Sequence, residues 1–219
     1  MPEGFHPPLE EYLEAIHELG EEGIIVIQAR LAERLGHSAP AVSEMIRRLR
    51  EEGYVEVKGR SLVLTARGRS KAESVVRKHR LAERLLTDII GLPWDKAHLE
   101  AGRWEHVISD EVEALLVKRL GNPTTCPHGN PIPGSGAKAP ETVVLADSGL
   151  GDHVRLERVT ELVELDQSLL AYLSTHGFVP GVEATVSSRA PDGTLTLDLG
   201  GATIALGPSL AQQLFVTAA

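Results

Sequence analysis

Two short amphipathic helices joined by a turn too tight to hold anything else constrain this chain more than any other feature. Leu31, Ala32 and Leu35 share one face of a helix predicted over 28–35, and Gly36 follows as the residue that best tolerates a left-handed C-terminal turn. Ser38 is placed to cap the next helix and Pro40 is tolerated in its first turn. Val42, Met45, Ile46 and Leu49 supply its buried stripe before Gly53. An earlier helix is predicted where Leu9, Tyr12, Leu13, Ile16 and Leu19 recur at helical spacing and stop at Gly20. After Gly53, the β-prone runs Tyr54-Val55-Glu56-Val57 and Leu62-Val63-Leu64 flank Lys58-Gly59-Arg60-Ser61, which reads as a hairpin. Three helices and a hairpin in this order predict a winged helix-turn-helix.

Beyond it, Thr65 caps a long helix predicted to run to about Ile90, where Gly91-Leu92-Pro93 forces a break. A helix over roughly Trp94 to His106 and another capped by Ser109 follow. Residues 121–140 are rich in Gly and Pro around Cys126-Pro127-His128-Gly129-Asn130-Pro131, as a linker or ordered loop would be. The remainder has short alternating runs near Val143, 182–186 and 195–199 and one helical segment near 166–173, which predicts a small β-barrel or sandwich. The fold class expected is mainly α with a β tail, divided as 1–70, 71–140 and 141–219. A chain of 219 residues is long enough for two or three such modules.

No apolar run approaches the roughly 20 residues needed to cross a bilayer, and the acidic N-terminus does not resemble an export signal. With Cys126 alone no internal disulfide forms, in keeping with a cytoplasmic protein. The net charge of -9 conceals a segregation of sign. The first 22 residues hold seven glutamates and no Lys or Arg, whereas nine bases stand between Lys58 and Arg84 against Glu73 and Glu83. Local field governs partner choice, so double-stranded DNA is the expected partner of the winged helix, with no membrane and no small-molecule substrate. The second helix of such a motif lies in the major groove. Its candidate surface is Ser38, Pro40, Ala41, Ser43, Glu44, Arg47, Arg48 and Arg50, with Arg30 and the wing's Arg60 placed for phosphates. Ala41 suits a thymine methyl and Glu44 a cytosine amino group. The alternative for the arginines is a solvated helix face already bearing Glu51 and Glu52.

His79 and Glu83 stand four apart and so project from one helix face. His98, Glu105 and His106 follow on the next predicted helix, and Glu11 and Glu14 share the first. Imidazole and carboxylate donors suit Mn, Fe, Co, Ni or Zn. Cys126 and His128 have ligand chemistry too, but a Pro-rich interdomain turn is the reading favoured for them.

The stretch Arg77-Lys78-His79-Arg80-Leu81-Ala82-Glu83-Arg84-Leu85-Leu86-Thr87-Asp88-Ile89-Ile90-Gly91-Leu92 resembles the diphtheria toxin repressor family of iron- and manganese-dependent regulators. So do Arg103-Trp104-Glu105-His106-Val107, Ser109-Asp110-Glu111-Val112-Glu113 and Gly129-Asn130-Pro131-Ile132-Pro133-Gly134. The likeness is dense over about the first 135 residues. It implies a homodimer with a helical metal-binding and dimerisation domain, a C-terminal SH3-like domain and a palindromic operator. By position, His79, Glu83 and His98 match an ancillary metal site, with Glu164 and Gln167 similar to the two ligands that the SH3-like domain adds. Glu105 and His106 belong to a primary site, where iron-type members have a methionine in place of Glu11 and a cysteine in place of Gly102. Loss of both sulfurs in favour of Glu11 and Glu14 favours Mn(II), with Fe(II) the rival and about two sites per protomer. Gly102 supplies nothing where manganese-type members carry a carboxylate.

These readings converge on metal-controlled repression, in which cation shared between Glu11 and Glu14 and the helices behind them sets the spacing of two winged helices. A metal-dependent hydrolase, which would need an open coordination position, and a metal-independent winged helix are the competitors.

Overall fold

The computed structural model describes residues 8–136 and 140–219. Helix α1 (Pro8–Glu21) buries Tyr12, Leu13, Ala15, Ile16 and Leu19. It packs against α2 (Gln28–Leu35) and α3 (Ala39–Glu51), whose inner faces carry Leu31 and then Val42, Ile46 and Leu49. Gly36 adopts φ 63° and closes α2, and the Ser38 hydroxyl accepts the Ala41 N–H to open α3. The turn between the two helices thus carries its own terminators at both ends. Strands β1 (Val55–Lys58) and β2 (Ser61–Leu64) pair antiparallel as the wing.

The Thr65 hydroxyl caps α4 (Ala66–Arg84) by accepting the Gly68 N–H. The regular helix expected to reach Ile90 instead widens into a π-helical turn over Leu85–Ile90. There the Thr87 hydroxyl donates to the Glu83 carbonyl at 3.0 Å, an alternative to the helix ladder that β-hydroxyl side chains offer. Helix α5 (Trp94–Ala101) is likewise shorter than expected, because Gly102 ends it and residues 102–107 form successive turns. Glu105 and His106 therefore leave a turn, not a helix face. Helix α6 (Asp110–Arg119), capped by Ser109, completes the helical region.

The loop that follows is ordered as a small hairpin, with Thr125 bridged to Pro131 and the Cys126 N–H bonded to the Asn130 carbonyl. Residues 137–139 of the predicted linker lie outside the described residues. Gly129, at φ 90°, is held against β4 so closely that a Cβ there would stand 1.9 Å from the Glu157 carbonyl oxygen. Only glycine brings this loop so near the sheet.

The C-terminal part comprises β3 (Val143–Val144), β4 (His153–Val159), α7 (Glu161–Glu164), α8 (Gln167–Thr175), β5 (Glu183–Arg189), β6 (Leu195–Asp198), β7 (Thr203–Leu206), α9 (Pro208–Ala211) and β8 (Leu214–Ala218). The strands form one antiparallel sheet in the order β3-β8-β4-β5-β6-β7, with bulges in β4 and β5 that bend it around Leu156, Phe178, Val186, Leu197 and Val216. This is the small SH3-like β-domain on a mainly helical body.

Candidate metal centres and DNA-facing surface

Helix α1 has two faces with different work. Its apolar stripe enters the winged-helix core, while Glu11, Glu14 and Glu18 line a cavity of about 230 Å³ shared with His79, His98, Gly102, Glu105 and Glu161. Ligand-type atoms of Glu14, His79 and Glu105 all lie within 4.8 Å of one another there. The two ring nitrogens of His79 face opposite ways: Nδ1 meets Glu105, and Nε2 lies 3.0 Å from His98 Nδ1 and 3.3 Å from Glu83 Oε1. His106 Nδ1 meets Glu10 at 2.7 Å and its Nε2 lies 3.0 Å from Glu105. Glu10, absent from the sequence expectation, is thus the α1 residue paired with His106, and Lys71 holds its other oxygen. Glu11 lines the shared cavity.

A second gathering lies behind His79. Glu83, Cys126, His128 and Glu164 are all buried and offer ligand atoms within 4.8 Å of one another. His128 Nδ1 stands 3.0 Å from Glu83 and 3.1 Å from Glu164, and His98 Nδ1 stands 3.4 and 3.3 Å from the same two carboxylates. Despite these separations, both Glu83 oxygens and His128 Nδ1 lack any hydrogen-bond geometry. Buried polar groups are nearly always satisfied, so atoms that crowd together without bonding to one another point at a common centre.

The Cys126 and His128 pair, read from sequence as part of a turn, therefore sits inside the most enclosed donor set. Its signal was the short Cys-Pro-His spacing, which only the packing of the loop on β4 turns into a site. Glu161, also missed, lies one helical turn before Glu164 and meets His98 Nε2 at 3.0 Å. Gln167 opens α8, is exposed, and lies beside Leu99, Leu162 and Leu165. The Asp166 side chain caps α8.

The electrostatics follow from burial and crowding. Burial works against a charged imidazole at His79, but Glu83 and Glu105 outweigh it and hold its pKa well above the ordinary value. Glu161 does the same for His98, and Glu164 and Glu83 do so for His128. Burial and the adjacent Glu105 push the Glu14 carboxyl well above its ordinary range. Burial, aided by Glu83 and Glu164, raises the Cys126 thiol to about 11.

In the winged helix, Ser38, Pro40, Ala41, Ser43, Glu44, Arg47, Arg48 and Arg50 are all exposed, as are Arg30 and Arg60. Arg47 bridges Glu44 and Glu51, and Arg48 meets Glu52 at 2.7 Å, so these two guanidiniums already have partners along α3. Among the described residues, Arg50 and Arg60 have no such ion pair.

Three family models cover nearly the whole chain. Residues 5–63 match the iron dependent repressor N-terminal DNA binding domain, 65–134 match the iron dependent repressor metal binding and dimerisation domain, and 143–218 match the FeoA domain. The chain is 46% identical over 204 residues to the iron-dependent repressor IdeR of Mycobacterium tuberculosis, covering 88% of each. It is 43% identical over 215 residues to the diphtheria toxin repressor of Corynebacterium diphtheriae, covering 94% of each. Among solved structures, a manganese-dependent transcriptional repressor in complex with manganese superposes with TM-score 0.86 at 34% identity, over 96% of this chain and 100% of that one. ScaR with bound Zn2+ gives 0.81 at 29% identity, over 97% and 100%.

Proposed function

This chain belongs to the iron-dependent repressor family, and we propose that Mn(II), held where α1 meets the helices behind it, is what switches its affinity for a palindromic operator. It is a metal-dependent transcriptional repressor, in a family of DNA-binding regulators. The observation that carries the finer reading is the approach of Glu14, on a helix of the DNA-binding module, to His79 and Glu105 of the helical region. No single module owns that site.

The residues fit a divalent cation. Glu11, Glu14, Glu105 and His79 would hold it at the first centre with His106 beside them, and Glu83, Cys126, His128 and Glu164 would hold one at the second, with His98 adjacent. The cation supplies positive charge that neutralises clustered carboxylates. Oxygen and imidazole donors alone line the first centre, a set that suits Mn(II). Cys126 brings a sulfur to the second, so the expectation of sulfur-free ligation belongs to the first centre only, and Fe(II) is the rival there.

Glu14 and His79 fix the angle between α1 and α4, and α1 carries the core on which α2 and α3 rest. Ile89, Ile90, Val107, Val112 and Leu115, between 45 and 68% exposed on the helical region, form the face that pairs two protomers and sets the distance between their recognition helices. Ala41, Ser43 and Glu44 are then presented to base edges, with Arg50 and Arg60 to phosphates. A cytoplasmic setting matches this role.

The test is to titrate Mn(II), Fe(II) and Zn(II) against operator binding at fixed ionic strength, for the wild type and Glu105→Gln. Mn(II) acts at the lowest free concentration, and the variant loses the response. Equal responses to all three metals overturn the manganese assignment, and an unchanged Glu105→Gln overturns the metal switch itself.

A further inference from the structure

Helix α3 carries a charge pattern that contact with phosphates does not explain. Its core stripe is Val42, Ile46 and Leu49. At 3.6 residues per turn, Pro40, Glu44, Arg47 and Glu51 fall within about 50° of the line directly opposite that stripe, and all four are exposed. A helix lying in the major groove brings this ridge nearest the base edges. Pro40 has no polar side chain, so Glu44 and Arg47 are the first groups on the ridge able to hydrogen-bond a base. They are also bonded to each other. Arg47 Nε and Nη2 donate to the two Glu44 oxygens at 3.2 and 2.5 Å, and Nη1 donates to Glu51 at 2.7 Å. Such a fork fixes the geometry of both side chains and neutralises a carboxylate that phosphates would otherwise repel. The Arg47 hydrogen bonds hold the Glu44 carboxyl below its ordinary pKa, so it is an acceptor only.

We propose that Glu44 and Arg47 read one C·G base pair in each operator half as a unit, Glu44 accepting from cytosine N4 and Arg47 donating to the guanine across the pair. A carboxylate oxygen beside a guanidinium N–H is an acceptor next to a donor. The C·G edge offers the complement, a cytosine amino donor next to the O6 and N7 acceptors of guanine. Of the five N–H groups of an arginine, three serve Glu44 and Glu51, and two stay free for those acceptors. An A·T pair with adenine in the cytosine's place keeps the amino donor, but it sets adenine N7 against the carboxylate and the thymine methyl against the guanidinium. The reversed pairs put guanine O6 or thymine O4, both acceptors, opposite Glu44. The order of preference is therefore C·G, then A·T, then G·C and T·A. Arg47 is a positioning residue for Glu44 as well as a base contact. The assignment rests on the reading of the chain as an operator-binding repressor and adds which base pair it selects.

To test it, the full-length chain with Mn(II) selects from a pool of random-sequence duplex DNA, and the enriched duplex is remade with each of the four base pairs at every position. For the wild type, one position per half follows the order above, with the reversed pairs about 5 to 150-fold weaker than C·G. Glu44→Gln moves the preference at that position to A·T, because an amide matches adenine N6 and N7, and binding still depends on Mn(II). Arg47→Ala keeps the Mn(II) dependence and loses the preference for C·G over A·T, and Arg47→Lys, which retains a cation beside Glu44, restores part of it. Both side chains are exposed, and circular dichroism that matches the wild type shows that the variants are folded. An unchanged order in Glu44→Gln overturns the assignment of Glu44, and a full C·G preference in Arg47→Ala overturns that of Arg47. The Mn(II) arm separates the two conclusions. Wild-type binding equal with and without Mn(II) removes the metal switch and leaves the base order to decide this proposal, whereas Mn(II)-dependent binding without such a C·G position removes this proposal alone.

Discussion

Replacing Glu83 by Gln alters the most enclosed carboxylate of the second centre while keeping its shape. Glu83 is wholly buried, with His128, His79 and His98 nitrogens at 3.0, 3.3 and 3.4 Å from one oxygen. Loss of a ligand should cost at least the roughly 10 to 100-fold in affinity that loss of a mere supporting partner costs. A cation present at 100 times its Kd stabilises the folded chain by about 2.7 kcal/mol, and a 100-fold weaker site at the same concentration gives only about 0.4 kcal/mol. For a chain of this size each kcal/mol moves Tm by about 2–4 °C. The Mn(II)-induced rise in Tm is therefore expected to be about 5–9 °C smaller in Glu83→Gln than in the wild type. Scanning calorimetry with and without Mn(II) measures this increment, and comparing increments cancels any direct effect of the amide on folding. An increment equal to that of the wild type would refute the assignment of Glu83 as a ligand, and with it the argument from its unbonded oxygens.

Gly102→Glu adds the carboxylate that the first centre lacks; with φ -59° and only ordinary contacts at 3.7 and 3.9 Å around a Cβ, the backbone accepts it. Calorimetric Mn(II) affinity rises by about tenfold or more, equivalent to roughly 1.4 kcal/mol, and no gain would place position 102 outside the ligand shell. Arg50→Ala removes an exposed cation without an ion-pair partner, so the slope of log affinity for operator against log salt falls by about 0.9 in filter-binding or anisotropy titrations. Arg47→Ala changes it less, because Arg47 already serves Glu44 and Glu51. Finally, burial would raise the Glu21 carboxyl, but Arg80 outweighs it and brings the pKa down from 4.5 to about 2. The stabilisation, at most about 3 kcal/mol, is present above pH 4.5 and lost as pH falls toward 2; urea unfolding across that range shows a steeper acid decline in the wild type than in Glu21→Gln.

Local signals wrote the winged helix plainly. Gly36, Ser38, Thr65 and Ser109 act at helix ends where their side chains or lack of one dictate it, and the stripe through Val42, Ile46 and Leu49 faces the core as its spacing requires. The failures share a cause, which is that the deciding contact comes from far along the chain. His128 becomes a candidate ligand because Gly129 lets its loop touch β4, and the residues it meets lie 45 positions earlier and 36 positions later at Glu83 and Glu164. Glu10 and Glu11 are adjacent on one helix, so spacing alone did not show that His106 pairs with Glu10. Gly102 carried a readable signal as a helix stop, and the helix predicted from Trp94 to His106 ran through it.

Two periodicities are superimposed on α1. The set Tyr12, Leu13, Ala15, Ile16 and Leu19 locks the helix into the winged-helix core, and the set Glu11, Glu14 and Glu18 commits the same helix to the cavity. A rigid helix cannot satisfy a change on one face without displacing the other. Tyr12 extends the connection, since its hydroxyl meets His37 Nδ1 at 2.9 Å in the turn that leads into α3. Neutralising Glu14 therefore acts on the element that aims Ala41, Ser43 and Glu44. A coupling of about 1–3 kcal/mol is typical between linked sites, and it corresponds to roughly 5 to 150-fold in operator affinity. On the proposed reading the winged helix needs no independent metal sensor, because the helix that completes its core is also one wall of the cavity that Glu14, His79 and Glu105 share.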